Sequence, residues 1–355
     1  MIDLYQLYKL LERWYTGVPR LFNSGRALPP LQMVFELTYR CNLHCPMCYQ
    51  RRQEKLLGVS HGKASEELDL EAIKRIIDQT PPWALIIFTG GEIFVRKDIL
   101  SILEYASRKR RCHIVTNGTL ISDETARALV EMGLLSVGFS IDGNEEIHDR
   151  MRGSGTFAKA FEAMKVIHQM RSRNGRRFPL LNIKTTITQD NVGVLTDLID
   201  VGCEVEAEYC TLQIMNTSLC TSGMYFHETL DPYLSPPPPI TDFDVNLLRS
   251  QLETIESQSA DQGPVVRVSP ALTPSQIASH YANAFDIRQY FCTAPWSGIN
   301  VSPYGDVYPC FNYRIGSLRQ SSLGELWNNE RYRAFRRSLR KNGLFPGCVG
   351  CCDLI

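Results

Sequence analysis

The sequence has no surplus of either charge: 38 Lys+Arg stand against 38 Asp+Glu, so no global field draws the chain toward nucleic acid or an anionic surface. It has no long apolar run, and nothing in it approaches the roughly 18 residues a membrane helix needs. Its first residues, Met1 to Gln6 (MIDLYQ), lack the basic and apolar regions of a secretory signal. These absences exclude a membrane span and argue against a nucleic-acid partner and a secreted disulfide scaffold. A reducing cytoplasm is the expected setting.

What the sequence does have is cysteine. Twelve occur in 355 residues, three of them between Cys41 and Cys48 and three between Cys348 and Cys352. Such clustering points to metal ligation rather than to scattered core thiols.

Between and around these clusters the pattern alternates strand and helix. Residues 1–30 read as an amphipathic helix from Ile2 to Tyr15 and a linker. Pro19, Pro29 and Pro30 break the pattern, and the helix is expected to pack on the main domain because basic residues are few on its polar face. Residues 31–210 read as six strand-helix units, with strands at Leu31–Leu37, Leu85–Phe88, His113–Val115, Leu135–Ile141, Leu181–Ile187 and Glu204–Tyr209. Repeats of this kind make a parallel sheet with its sites at the carboxyl ends of the strands, here an open barrel of the (βα)6 type. Residues 211–290, with SPPPPI at Ser235–Ile240 and a helix near Asp244–Ser257, read as a bridge without repeat. Residues 291–355 read as a small metal-stapled α+β domain, with strands near Ile299–Val301 and Val307–Pro309 and a helix near Leu323–Leu339.

Cys41, Cys45 and Cys48 have the spacing C-x3-C-x2-C directly after the first strand. Three thiolates on one loop leave one iron of a 4Fe-4S cluster open to a non-protein ligand, as an open position marks a catalytic zinc. Zinc prefers two C-x2-C pairs or cysteine with histidine, and His44, next to Cys45, reads as a spacer. At the C-terminus, Cys292, Cys310, Cys348 and Cys351 form C-x17-C followed by C-x2-C, a set of four that closes a site. Spacing alone leaves structural zinc and a fully ligated cluster open there.

C-x3-C-x2-C after the first strand of a βα repeat resembles the radical S-adenosylmethionine (AdoMet) superfamily, and three further motifs in order strengthen the resemblance: Thr89-Gly90-Gly91-Glu92, Thr116-Asn117-Gly118 and Ser140-Ile141-Asp142-Gly143. The resemblance implies a partial (βα)6 TIM-like barrel, a radical-generating 4Fe-4S cluster and bound AdoMet. It implies that Gly90 and Gly91 let the backbone approach the methionine, that Glu92 pairs with its amino group, and that Asn117, Ser140 and Asp142 face the methionine and ribose. His148 to Gly153 adds Arg152 as a partner of the methionine carboxylate, and Met47 matches an apolar position that packs on the adenine. An electron entering the cluster would cleave AdoMet to a 5'-deoxyadenosyl radical that abstracts hydrogen from substrate.

In that context the second cysteine set resembles the Twitch domain, a shortened SPASM domain with one auxiliary 4Fe-4S cluster, and leaves open whether Cys351 or Cys352 is the fourth ligand. The sulfatase-maturing branch carries an aspartate base after the Gly-x4-Cys cysteine; here Phe311 and Asn312 stand there, which argues against that activity. The spacing is also similar to Twitch dehydrogenases of aminocyclitols. Cys112, Cys203, Cys210 and Cys220 lie outside both motifs.

Three functions follow as expectations. One is oxidative modification of a peptide or protein, with a separate recognition protein, or the bridge from Cys210 to Tyr290, in place of a winged-helix domain. The second is oxidation or epimerisation of a small molecule such as a sugar, cyclitol or lipid intermediate, with Tyr209, Tyr225, His227 and Tyr290 as pocket candidates. The third is a non-catalytic metal-stapled binding protein. A low-potential flavodoxin or ferredoxin is the implied electron donor.

Overall fold

The computed structural model describes residues 4–50, 63–217, 230, 234–258, 263–310, 313–351 and 353–354. Its frame is one sheet of ten strands: β1 (Gln32–Thr38), β2 (Leu85–Gly90), β3 (Arg111–Thr116), β4 (Ser136–Ser140), β5 (Leu180–Thr186), β6 (Tyr209–Gln213), β7 (Val265–Ser269), β8 (Gly298–Val301), β9 (Asp306–Tyr308) and β10 (Gly316–Ser317). Their spatial order is β10-β9-β8-β1-β2-β3-β4-β5-β6-β7. β1 through β7 are parallel, β8 joins β1 in parallel, and β9 and β10 return antiparallel.

Helices cover the outer face. Those at Leu70–Gln79, Asp123–Met132 and Glu145–Arg152 begin where Asp69, Ser122 and Asn144 accept the backbone N–H of Ala72, Thr125 and Ile147, satisfying donors a helix start leaves open. Phe35, Phe88, Ile114, Phe139 and Ile183 are fully buried on this side. In β5 their neighbours are half-buried, the strand alternating half-buried and buried from end to end, while Glu36 in β1 and His113 in β3 are polar residues buried on the other face. One face thus packs on helices and the other lines an open interior.

Several sequence expectations shift. The sixth strand is Tyr209–Gln213, not Glu204–Tyr209: the helix Asp197–Glu204 runs on to Glu204, because Val201 and Val205 bury one helical turn apart, and a turn with Glu206 at φ 48 precedes the strand. The stretch 211–290 holds a seventh parallel strand, whose inner residue Arg267 faces Thr211 of β6, so the repeat continues past the sixth unit. The helix expected near Leu323–Leu339 is two, Leu323–Trp327 and Glu330–Asn342, separated where Asn329 caps the second. The first helix runs Leu4–Leu21, through Pro19, because a proline in the last turn removes only one hydrogen bond. No described helix is long and apolar enough to cross a membrane.

Candidate active site and auxiliary cysteine site

The loop after β1 and the loop after β2 are stitched together. Gly91 N–H donates to the carbonyl of Thr38 at 2.7 Å and Glu92 N–H to that of Arg40 at 2.9 Å. Gly90 sits at φ +142, and a Cβ on Gly90 or Gly91 would strike the carbonyl of Thr38 or Arg40. The two glycines therefore let the second loop close on the root of the cysteine loop, a reason independent of any ligand. Gly91→Ala is expected to lower stability by about 1–3 kcal/mol, the usual cost of overpacking, and to reduce iron loading. Denaturant unfolding and iron analysis check this; a variant with wild-type values of both contradicts it.

Behind the loop, Glu67 accepts both guanidinium arms of Arg40 at 3.1 and 3.0 Å. Arg96, 6% exposed, donates to the carbonyls of Leu37 and Leu68 and pairs with Asp98. Sequence reading missed this brace, since nothing in the spacing of Arg40, Glu67 and Arg96 marks them as neighbours.

In front of it, Cys48 N–H donates to the carbonyl of Cys45, and Cys41 Sγ accepts from Leu43 N–H at 3.4 Å and from the Asn117 amide at 3.9 Å. Asn117 also donates to Asn42 at 3.0 Å. Burial pushes the Cys41 thiol up to about 11, and Cys45 and Cys48 add to the rise. Burial also raises Cys45, while Arg152 opposes it. His44 is exposed. The three thiols share one electrostatic environment with a cation beside them and N–H donors on one sulfur, a donor set suited to an iron-sulfur cluster. Among the described residues no three His, Cys, Asp or Glu side chains form a single-ion site.

Glu92 is fully buried. It accepts from Thr116 Oγ1 at 2.8 Å, Asn117 N at 2.7 Å and Phe94 N at 3.1 Å. Burial raises its carboxyl, and those three bonds pull it back. Asp142, also fully buried, pairs through Oδ2 with Arg152 Nε at 2.5 Å, while its Oδ1 has no partner. Burial works against the charge of Arg152, but Asp142, Cys45 and Cys48 hold its guanidinium above the ordinary value. His148 is held neutral, its pKa lowered to about 4 by burial and by Arg152, and its Nδ1 accepts the Asp142 N–H at 3.3 Å. A buried, singly satisfied carboxylate next to a cation and a thiol triad fits a polar ligand that brings its own donors. Ser140, at the end of β4, and Met47, in the cysteine loop, are half-buried.

Across the interior runs a row of register partners: Ser140, Lys184, Thr211 and Arg267. The Arg267 guanidinium lies 3.7 Å from the Tyr209 ring centre, and His113 bonds Ser136 at 2.7 Å. Burial and Lys184 lower His113 to about 3. The signal for this polar lining was present: Asn182, Lys184 and Thr186 alternate with Leu181 and Ile183, where parallel strands buried on both faces read as continuous apolar runs. Tyr290 instead stacks on Phe285 at 4.6 Å, and Tyr225, His227 and Cys220 lie outside the described residues. Cys112 and Cys210 are buried and Cys203 exposed.

In the second cysteine set, Cys292 precedes β8, which pairs with β1, and the terminal turn packs on the far side of the sheet order, Gly350 lying against His280 and against Met215 and Asn216 just past β6. Cys292 bridges to Leu354 and is near enough to Asp353, Cys348 and Cys310 for each to add to the rise that burial causes in its thiol. Burial pushes Cys348 up to about 11. Cys351 is 8% exposed, donates its N–H to the Cys348 carbonyl, and accepts from Asp353 N–H at 3.5 Å. Cys352, Phe311 and Asn312 lie outside the described residues. Two features escaped the sequence. Arg20 of the first helix lies over Phe291, 5.1 Å from its ring centre, and beside Cys292. A cluster of Glu36, Tyr39, Tyr49, Tyr304 and Tyr308 spans the gap to the first cysteine loop, Tyr39 and Tyr49 donating to Glu36 at 3.2 and 3.1 Å.

Residues 35–187 match the Radical SAM superfamily and residues 292–352 the SPASM iron-sulfur cluster-binding domain. The antilisterial bacteriocin subtilosin biosynthesis protein AlbA of Bacillus subtilis is 35% identical over 344 residues, covering 92% of this chain and 67% of that protein. The chain belongs to the radical SAM superfamily. As a radical SAM enzyme it uses AdoMet and a 4Fe-4S cluster in the core and an auxiliary iron-sulfur cluster in the C-terminal region. Fe-coproporphyrin III synthase of Methanosarcina barkeri is 35% identical over 173 residues, but this match spans 48% of the chain and 40% of that protein. SuiB of Streptococcus suis, bound to precursor peptide SuiA, superposes with a TM-score of 0.64 over 93% of this chain and 72% of that one at 16% identity, a likeness of fold. The partial barrel and the auxiliary domain read from the cysteine motifs are thus borne out, and the non-catalytic reading is set aside.

Proposed function

We propose that this enzyme oxidatively modifies a peptide, as a maturation step on a ribosomally made precursor. One observation carries the reading: the terminal cysteine turn reaches the carboxyl end of the sheet, Gly350 lying against Met215 and Asn216 just past β6, the end at which the Cys41–Cys48 loop follows β1 and the polar interior opens. A substrate in that interior lies between the site of hydrogen abstraction and an electron acceptor, the arrangement a net two-electron oxidation requires. The peptide assignment is supported by AlbA, a bacteriocin biosynthesis protein whose match spans both parts of the chain. A small-molecule substrate is the second reading, favoured by the synthase match, which spans about half of the chain.

In this account Cys41, Cys45 and Cys48 hold three irons of the core cluster. Gly90, Gly91 and Glu92 meet the methionine end of AdoMet, Arg152 its carboxylate, Asn117, Ser140 and Asp142 its methionine and ribose, and Met47 its adenine. When bound, cluster and AdoMet supply a carbon radical that takes hydrogen from the substrate. The chain's own work is to hold Arg152 on Asp142, keep His148 neutral, and line the interior with fixed polar groups that orient the substrate. Cys292, Cys310, Cys348 and Cys351 hold one auxiliary 4Fe-4S cluster. We keep the division at 1–30, 31–210, 211–290 and 291–355, with 211–290 adding a strand to the barrel. A cytoplasmic setting, a flavodoxin or ferredoxin donor and a separate peptide-recognition protein complete the proposal.

The test is label transfer. Under anaerobic reduction, deuterium from a labelled precursor peptide should appear in 5'-deoxyadenosine. Transfer from deuterated sugars or cyclitols, with none from peptides, would decide for the second reading.

A further inference from the structure

The first helix, expected to pack its apolar side inward, leaves one apolar stripe uncovered. Trp14 is 75% exposed, Val18 47%, Leu21 74% and Phe22 63%. These positions fall at helical spacing over about 12 Å of axis. On the opposite side of the same helix Glu12 and Thr16 are buried. A contiguous exposed patch of this kind marks an interaction surface.

Its surroundings say what covers it. The helix Glu330–Asn342 lies against the end of this one, with Arg333 and Arg337 donating to the carbonyl of Ser24 at 3.0 and 3.3 Å. That helix ends in Arg340 and Lys341, both exposed, as is Arg26, and no ion pair neutralises these three among the described residues. Sequence alone showed few cations on the polar side of the first helix; the fold supplies them from 300 residues away. A second copy pressed against this face by a two-fold axis would set like charges together at its rim. An apolar stripe with Trp and Phe, rimmed by uncompensated cations, fits the boundary of an anionic bilayer.

We propose that this face seats the enzyme on anionic lipid, the stripe from Trp14 to Phe22 entering the headgroup boundary and Arg26, Arg340 and Lys341 meeting lipid phosphates. The neutral overall charge does not oppose this, because the contact is local and lies within a Debye length of the surface.

The full-length holoenzyme is floated with vesicles of phosphatidylcholine alone and of phosphatidylcholine mixed with phosphatidylglycerol. It is expected to rise with the anionic vesicles only, and raised salt should release it. Leu21→Glu with Phe22→Glu should cut partitioning by at least ~10-fold. Arg340→Ala or Lys341→Ala should cut it about fivefold each. All these side chains are exposed, so iron content and AdoMet cleavage in solution should not change. No flotation at low salt would give the face to a soluble acidic partner and overturn the proposal. So would a dimer in light scattering that Leu21→Glu with Phe22→Glu dissolves.

Discussion

Replacing Cys41, Cys45 and Cys48 together with alanine abolishes AdoMet cleavage, a fall of at least ~1000-fold, the scale on which loss of an essential catalytic group acts. The three sit on one loop, held at its root by Gly91 and Glu92 N–H donors and braced behind by Glu67 and Arg96, so alanine removes ligands without removing the loop's supports. The readout is 5'-deoxyadenosine after anaerobic reconstitution and reduction, with circular dichroism to show that the barrel persists. Wild-type production by the triple variant would contradict the assignment. So would full activity in a single Cys45→Ala variant, because three ligands leave one iron open and two leave the cluster unheld.

The second large effect is a separation of two activities. Replacing Cys348 and Cys351 with alanine removes two of the thiols proposed to hold the auxiliary cluster, both on the terminal turn, where Cys348 N–H bonds the Phe345 carbonyl and Cys351 N–H that of Cys348. That turn packs on Met215, Asn216 and His280, whereas Glu92, Asp142 and Arg152 stand on the segments that follow β2 and β4. AdoMet cleavage uncoupled from product is therefore expected to continue, while modified product falls by ~100-fold or more, because a substrate radical that cannot pass its electron on has no route to a two-electron product. Because a cluster contributes folding energy to the domain that holds it, the variant needs a second measurement. Electron paramagnetic resonance should show the core cluster signal intact and the auxiliary signal gone. Undiminished product formation would leave the auxiliary cluster a structural role only.

Much of this was legible before the structure, for a physical reason. Ligand sets are local in sequence when a loop must present several groups to one small object, so Cys41–Cys45–Cys48 and Cys348–Cys351 could be read from spacing. The strand-helix alternation was legible because burial follows a period. What could not be read were juxtapositions between distant segments. β8 pairs with β1, although Gly298 and Gln32 lie far apart in sequence, since four residues of a hairpin strand carry no mark of the edge they will join. Arg20 reaches Cys292, and Glu36 gathers tyrosines from three segments, through that same pairing. Gly90 and Gly91 were noticed as part of a motif; only the fold shows that the carbonyls of Thr38 and Arg40 occupy the space a Cβ would need. The misplaced sixth strand has a local cause, since Glu204 to Tyr209 alternates apolar and acidic residues as a half-buried strand does, while the preceding helix extends into it.

The most direct test of the central claim is anaerobic analysis of iron, sulfide and AdoMet cleavage on one preparation of the full chain. Two 4Fe-4S clusters predict about eight irons and as many sulfides per chain, together with reductant-dependent 5'-deoxyadenosine. Stoichiometric zinc without iron, or a fully loaded protein that never cleaves AdoMet under reduction, would contradict it.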